Sequence, residues 1–438
     1  MARAALFLFL AISTAACGGA NDNDEASATS ESALHRKYEV GPGRPYASLE
    51  PVIPLLEPGD VVDVHPGSEP YAGGIIFSKP GTKYRPIRIR GIRNEQGVRP
   101  VLFGGRDTLT FAANHYVFEG FDVAGGSSRN VFHHADDITI RDTVIRDCGG
   151  HGLLGADEGS GSLTLERVEV YACGNGTRRH PVYMATDETA YPGSVFRMQH
   201  CYLHDQLGGN AIKSRAERNE IRYNWVEGGA YREIELIGPD LEKPPPVRED
   251  SDVVGNVFVK TQGTYVARVG SDGEWSETAG RYRFVNNTFV LAADLPFAAI
   301  QVFETVDSIE LHNNVFYRLG GGPVAIFDTT EAKWVDGEVL AGSYNWVPTG
   351  TEIPALFERT LVGDDPGFLD PSSHDFRPSP ESPLVDAGSL PTWSPFGHAF
   401  PDPMFGPRSS PPLHAASSSR PRIPWPWITL GAYEKETH

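Results

Sequence analysis

Residues 207–238, LGGNAIKSRAERNEIRYNWVEGGAYREIELIG, hold three short segments, NAIKS, NEIRYNWV and REIEL, separated by Gly-rich turns. Apolar and polar side chains alternate with period two, and Val, Ile, Phe and Tyr dominate, which reads as strand rather than helix. The same beat recurs along the chain. Anchoring each copy on the residue before an apolar group gives Gly120, Asp142, Arg167, His200, Asn224, Asn256, Asn287, Asn314 and Asn345. Neighbouring anchors lie 22 residues apart at the closest (Gly120 to Asp142) and 33 at the widest (Arg167 to His200), the period range of solenoids. One such unit buries its inward side chains only by stacking on the next, so the coil must be continuous and covered at both ends.

These segments predict an all-β chain, a single-stranded right-handed parallel β-helix with an N-terminal cap and an irregular Pro-rich C-terminal tail. The cap and first coils are expected over 38–104, the regular coils over 105–350, and capping with the tail over 351–438. A short amphipathic segment after Ser48, a candidate N-cap, would cover the first open coil. The Asn anchors should stack as a ladder at the coil corners. Cys148 and Cys173 each follow their anchors, Asp142 and Arg167, by six positions and should stand on adjacent coils, where a disulfide or a reduced buried stack both fit.

Residues 1–16, MARAALFLFLAISTAA, read as a secretory signal, too short to span a membrane. Cys17, followed by GG and a polar tether to residue 37, has the form of a lipoprotein attachment site, with Thr14 where Leu is usual. A monomer exported to the outer membrane or cell surface is expected, with periplasmic or secreted location as the alternative and the membrane reached only through a lipid on Cys17. The formal charge of −19 excludes a general nucleic-acid binder, and it requires a locally basic groove or a bridging cation for any polyanionic glycan.

The opening PGD and PG turns, the NN-apolar coils and the DPGF…SP…DAG…GAYE ending together resemble the right-handed β-helix proteins of the pectate-lyase-like superfamily. The resemblance covers roughly 38–434 and implies a fold that hosts lyases, hydrolases, epimerases and plain binding proteins. More distantly, IKS followed by an Asn-containing strand is similar to the catalytic coil pair of family-6 polysaccharide lyases, the alginate lyase and chondroitinase B type. That resemblance puts Lys213 in the place of the base that removes the C5 proton of a uronate. The family's arginine does not carry over, because its place falls at Leu236-Ile237.

Aligning VYMA, IKSR, IELI, VARV and IQVF places Tyr183, Lys213, Glu235, Arg268 and Gln301 on one outward stripe, with Ile212, Ile234, Leu236, Val269, Ile300 and Val302 pointing inward. Such a row suits a polysaccharide laid across the coils, or is a plain charge ladder whose exposed pairs contribute about 0–1 kcal/mol each. Lys213, Arg215, Tyr183 and His180 are the candidate catalytic residues, and Asn210, Arg268 and Gln301 the candidate substrate contacts. Glu233 and Glu235, two apart on one strand, are a weak candidate pair for Ca²⁺, which takes about six to eight oxygens; no other cofactor is expected. Asp187 with Glu235 is the pair considered for glycoside hydrolysis. Two functions follow: an exported carbohydrate-active protein, specifically a uronate lyase acting by β-elimination, or a non-catalytic glycan-binding or adhesion protein using the same groove.

Overall fold

In a computed structural model, the described residues are 35–239, 249–272, 277–292, 294, 298–329, 339–390, 393–400, 402–404, 406–413, 421–422 and 428–435. Of the unit Met1–His35 only His35 is described, so the expected signal and Cys17 lie outside these residues. The unit Arg36–His438 is a parallel β-helix. Each coil contributes one strand in turn to each of three parallel sheets, of 13, 12 and 10 strands among the described residues. We call these the first, second and third sheets.

The core follows from period two. In the first sheet Ile89, Phe118, Ile140, Leu165, Met198, Ile221, Val253, Phe284 and Leu311 pair in register from coil to coil, and all are fully buried. Each such side chain contributes about 1.5–3 kcal/mol by leaving water, and a one-residue slip would expel the whole column.

The corner between the first and second sheets turns on one left-handed residue: Gly120, Asp142, Arg167, His200, Tyr223, Gly255, Asn286, Asn313 and Tyr344 in successive coils. Because Tyr202 pairs with Trp225, the residue equivalent to Asn224 is Cys201, not His200. The first four sequence anchors are therefore one position early relative to the other five. The inward corner residues of Asn224, Asn256, Asn287, Asn314 and Asn345 do form the expected ladder. Each Oδ1 accepts the backbone N–H of the residue one coil back, at 2.9–3.0 Å, and the asparagines before the last also donate Nδ2 to the next Oδ1. Cys148 and Cys173 stand on adjacent coils and are joined by a disulfide with a Cα–Cα distance of 4.6 Å.

The two ends depart from expectation. The segment after Ser48 covers the first coil with buried Leu49, Val52, Ile53 and Leu56. It is a turn leading into a short 3-10 helix, Ile53–Leu55, whose N-cap is Val52 rather than Ser48; Pro54 admits only this brief helix start. Coils continue past Trp346 to Leu361–Gly363. The ending motif then runs along the side of the helix instead of plugging its end. Phe376, Ala432 and Tyr433 cover Trp225, Val257, Val259 and Val290, and Leu384 and Leu430 cover Val315 and Trp346. The outer face of the second sheet is apolar there and needs that cover.

Candidate functional site

The outward stripe of the third sheet is in the register that the sequence alignment expects. Tyr183 pairs with Lys213, Lys213 with Glu235, Glu235 with Arg268, and Arg268 with Gln301. Between them Ile212, Ile234, Leu236, Val269, Ile300 and Val302 are buried in the core. A regular strand fixes both sets, because successive side chains point to opposite faces.

The stripe is not an exposed ladder. Glu235 is 2 % exposed and gathers four partners: Asn210 Nδ2 at 2.7 Å, Arg268 at 3.0 Å, Arg232 at 3.2 Å and Lys213 at 3.4 Å. A second carboxylate, Asp272, comes from the turn after Ala267–Gly270. It accepts from Arg215 at 2.7 Å and Arg268 at 3.0 Å, with Lys213 at 3.6 Å. Burial pushes the Asp272 carboxyl up, but Lys213, Arg268 and Arg215 outweigh it and hold the group below its ordinary value. Four cations thus surround two carboxylates in a largely dehydrated setting, where removing one partner costs about 3–5 kcal/mol.

Within the cluster the arginines are the fixed members. Arg215 donates to Gly238 O at 2.5 Å and to the Tyr183 hydroxyl at 3.1 Å. Arg268 donates to Ser271 O at 2.7 Å and lies over the Phe303 ring at 3.9 Å. Arg232 bridges Glu235 to Gln301, donating to Gln301 Oε1 at 2.8 Å. Lys213 has the longest pairs and sits 5.4 Å from the Tyr183 ring centroid.

His180 is buried and packs edge-on against Tyr183. Its Nδ1 accepts the Asn210 N–H at 2.9 Å, and His151 Nδ1 in turn accepts the His180 N–H at 3.1 Å. Burial, reinforced by Lys213, pushes His180 down to about 3; burial and Arg179 push His151 down to about 4. Both rings are neutral near pH 7, so His180 braces the strand start and Tyr183, and its Nδ1 is already committed.

Two sequence expectations are corrected here. Glu233 does not share a ligand space with Glu235. It is fully buried, accepts from Gly229 N at 3.2 Å and pairs with the equally buried Lys260 at 3.1 Å, which arrives from the next coil. Asp187 is turned onto the backbone N–H groups of Gly159, Thr189 and Ala190, so it braces a turn and makes no pair with Glu235. Asp272 and Arg232 are the cluster members that sequence reading missed. Asp272 follows a strand, where no period marks it, and Arg232, the first residue of REIEL, lies before the strand Ile234–Ile237 and out of step with the outward stripe.

No family model and no curated protein matches the sequence. Among solved structures, pectate lyase Pel9A superposes with a TM-score of 0.52 at 14 % identity, over 92 % of this chain and 96 % of that one. The chain has the fold of the pectate-lyase β-helices. An alginate lyase from Paenibacillus sp. str. FPU-7 matches at a TM-score of 0.44 and 14 % identity, over 75 % of this chain and 98 % of that one. The PL6 family alginate lyase AlyGC matches at 0.32 and 11 %, over 71 % of this chain and 52 % of that one. At these identities the likeness is one of fold.

Proposed function

We propose that this protein acts outside the cytoplasm on a uronate polysaccharide laid across the third sheet, cleaving it by β-elimination with Lys213 as base. The observation that supports this is the place of Lys213: an amine held loosely between two carboxylates, over the Tyr183 ring and between arginines on its own and neighbouring coils. In the reaction Lys213, as the neutral amine left when its ammonium gives a proton to solvent, takes the proton from the carbon next to the substrate carboxylate. The electron pair forms the new double bond, the bond to the glycosidic oxygen breaks, and that oxygen takes a proton. Charge gathers on the carboxylate as the proton leaves, so cations must stand there already oriented. Arg215 and Arg268 are held in place for this by Asp272. Tyr183, whose hydroxyl accepts from Arg215, is the group to return a proton to the leaving oxygen. Export through the N-terminal signal and attachment at Cys17 belong to the same reading.

A second reading, a non-catalytic glycan-binding protein, is favoured by one observation. The place of the family's arginine is filled by Leu236 and Ile237, each 1 % exposed, and the arginines present are already paired within the cluster. Mass analysis of chains recovered after incubation with a panel of uronate polysaccharides, with and without Ca²⁺, separates the two. Elimination leaves fragments with an unsaturated end and no added water, whereas retention on an affinity gel without fragments supports the binding protein.

A further inference from the structure

The outer face of the second sheet carries a groove that the Lys213 site does not use. The C-terminal segment covers Trp225, Val257, Val259 and Val290 of this face; beside that cover a cavity of about 890 Å³ lies open. Its walls come from three distant stretches: Arg93 and Arg99 of the loop before the strand Val101–Phe103, the left-handed corner residues Asp142, Arg167 and His200, and Pro412. Val144, Glu169 and Tyr202 form the sheet side. Asp205 and Glu227 line both this cavity and a second of about 450 Å³ that continues to Gln262. The groove therefore crosses the coils of Asp142, Arg167, His200, Glu227 and Gln262, four steps of about 4.8 Å or about 19 Å along the axis. The larger cavity alone has the size of a small-molecule site.

The charges in the groove are already paired. Arg93 and Arg99 hold Asp142 at 2.9 and 2.8 Å, and His204 lies between Glu169 at 3.1 Å and Asp205 at 2.7 Å. A polyanion would have to displace these carboxylates and a polycation these bases. A hydroxyl both donates and accepts, so it bonds either member of a pair without separating them. Tyr202, whose ring stacks on His204 at 4.2 Å, adds apolar surface to the wall of the cavity, of the kind a sugar ring covers. We infer that this groove is a second glycan site, and that it takes a neutral, hydroxyl-rich oligosaccharide rather than a uronate. The inference stands apart from the lyase reading, because the two sites lie on different sheets and differ in chemistry.

Calorimetric titration of the full chain with neutral hexasaccharides of glucose, mannose, xylose and galactose tests it. Val144 lies half-exposed on the outer face, between Asp122 and Glu169 of the adjacent strands, so Val144→Trp fills the groove without entering the core. At least one hexasaccharide is expected to bind wild type and Lys213→Ala equally, and Val144→Trp roughly tenfold more weakly, with the circular dichroism and melting midpoint unchanged. Should Val144→Trp fail to fold, Arg167→Ala, at an exposed corner position, is expected to weaken the same binding. Absence of binding at millimolar ligand overturns the inference, as does binding untouched by the groove variants or displacement of the neutral ligand by a uronate hexamer.

Discussion

At the scale of single residues, the corner asparagines and Glu235 bear the most strain if altered. Asn287 accepts from the Asn256 N–H and Nδ2 and donates to Val253 O and Asn314 Oδ1, at 2.8–3.0 Å. Asn287→Ala leaves several buried groups unpaired and is expected to lower unfolding free energy by about 2–4 kcal/mol, read from urea denaturation. Glu235→Ala takes from Arg232 its carboxylate and leaves Lys213 and buried Arg268 to share Asp272, and it is expected to cost about 3–5 kcal/mol in the same measurement; a loss below 1 kcal/mol would mean the cluster is hydrated. At this scale the stripe was legible, because a regular strand flanked by apolar residues fixes which side chains face out. Glu233 was not, since Lys260, which draws it inward, lies 27 residues away in sequence. Nor was Asp272, which meets Arg215 across 57 positions.

At the scale of elements, the beat of strands and turns was readable throughout, and the corner offset was not. Spacing alone does not reveal which turn residue takes the left-handed conformation: Asp142, Arg167 and His200 do so in early coils, whereas in later coils the residue before the inward Asn does. Cys148 and Cys173 were placed correctly because both lie in coils with the same anchor type. Replacing both with Ser opens a 25-residue loop and is expected to lower stability by about 3 kcal/mol or less, seen as a lower melting midpoint with the wild-type circular dichroism. The lateral course of the C-terminal segment was hidden, because its apolar residues lack periodicity. Phe376 stacks on Trp225 at 5.8 Å, and Phe376→Ala is expected to cost about 3–5 kcal/mol. A smaller loss would show that the cover is dispensable.

At the scale of the whole molecule, buried titratable groups set opposing pH limits. Burial pushes His133 and His151 down to about 4 and His180 to about 3, from an ordinary 6.5. Their contribution to stability is complete above pH 6.5 and is lost as pH falls towards 4 and 3, because the unfolded chain binds protons that the fold refuses. Burial, with Glu217 adding to the effect on Glu188, pushes Glu188 and Glu249 up to about 8 from 4.5. Their contribution is complete below pH 4.5 and is lost as pH rises towards 8. The melting midpoint is therefore expected to be highest between about pH 5 and 6.5 and to fall on both sides; a midpoint that climbs steadily to pH 8 would contradict this assignment. The central claim, elimination at Lys213, is tested most directly by the ultraviolet absorbance of the unsaturated uronate end. With the protein and a uronate polysaccharide, the absorbance is expected to rise with time for wild type and to stay flat for a folded Lys213→Ala. An equal rise in both would remove Lys213 from the chemistry, and a flat trace for wild type across the panel would leave a glycan-binding protein.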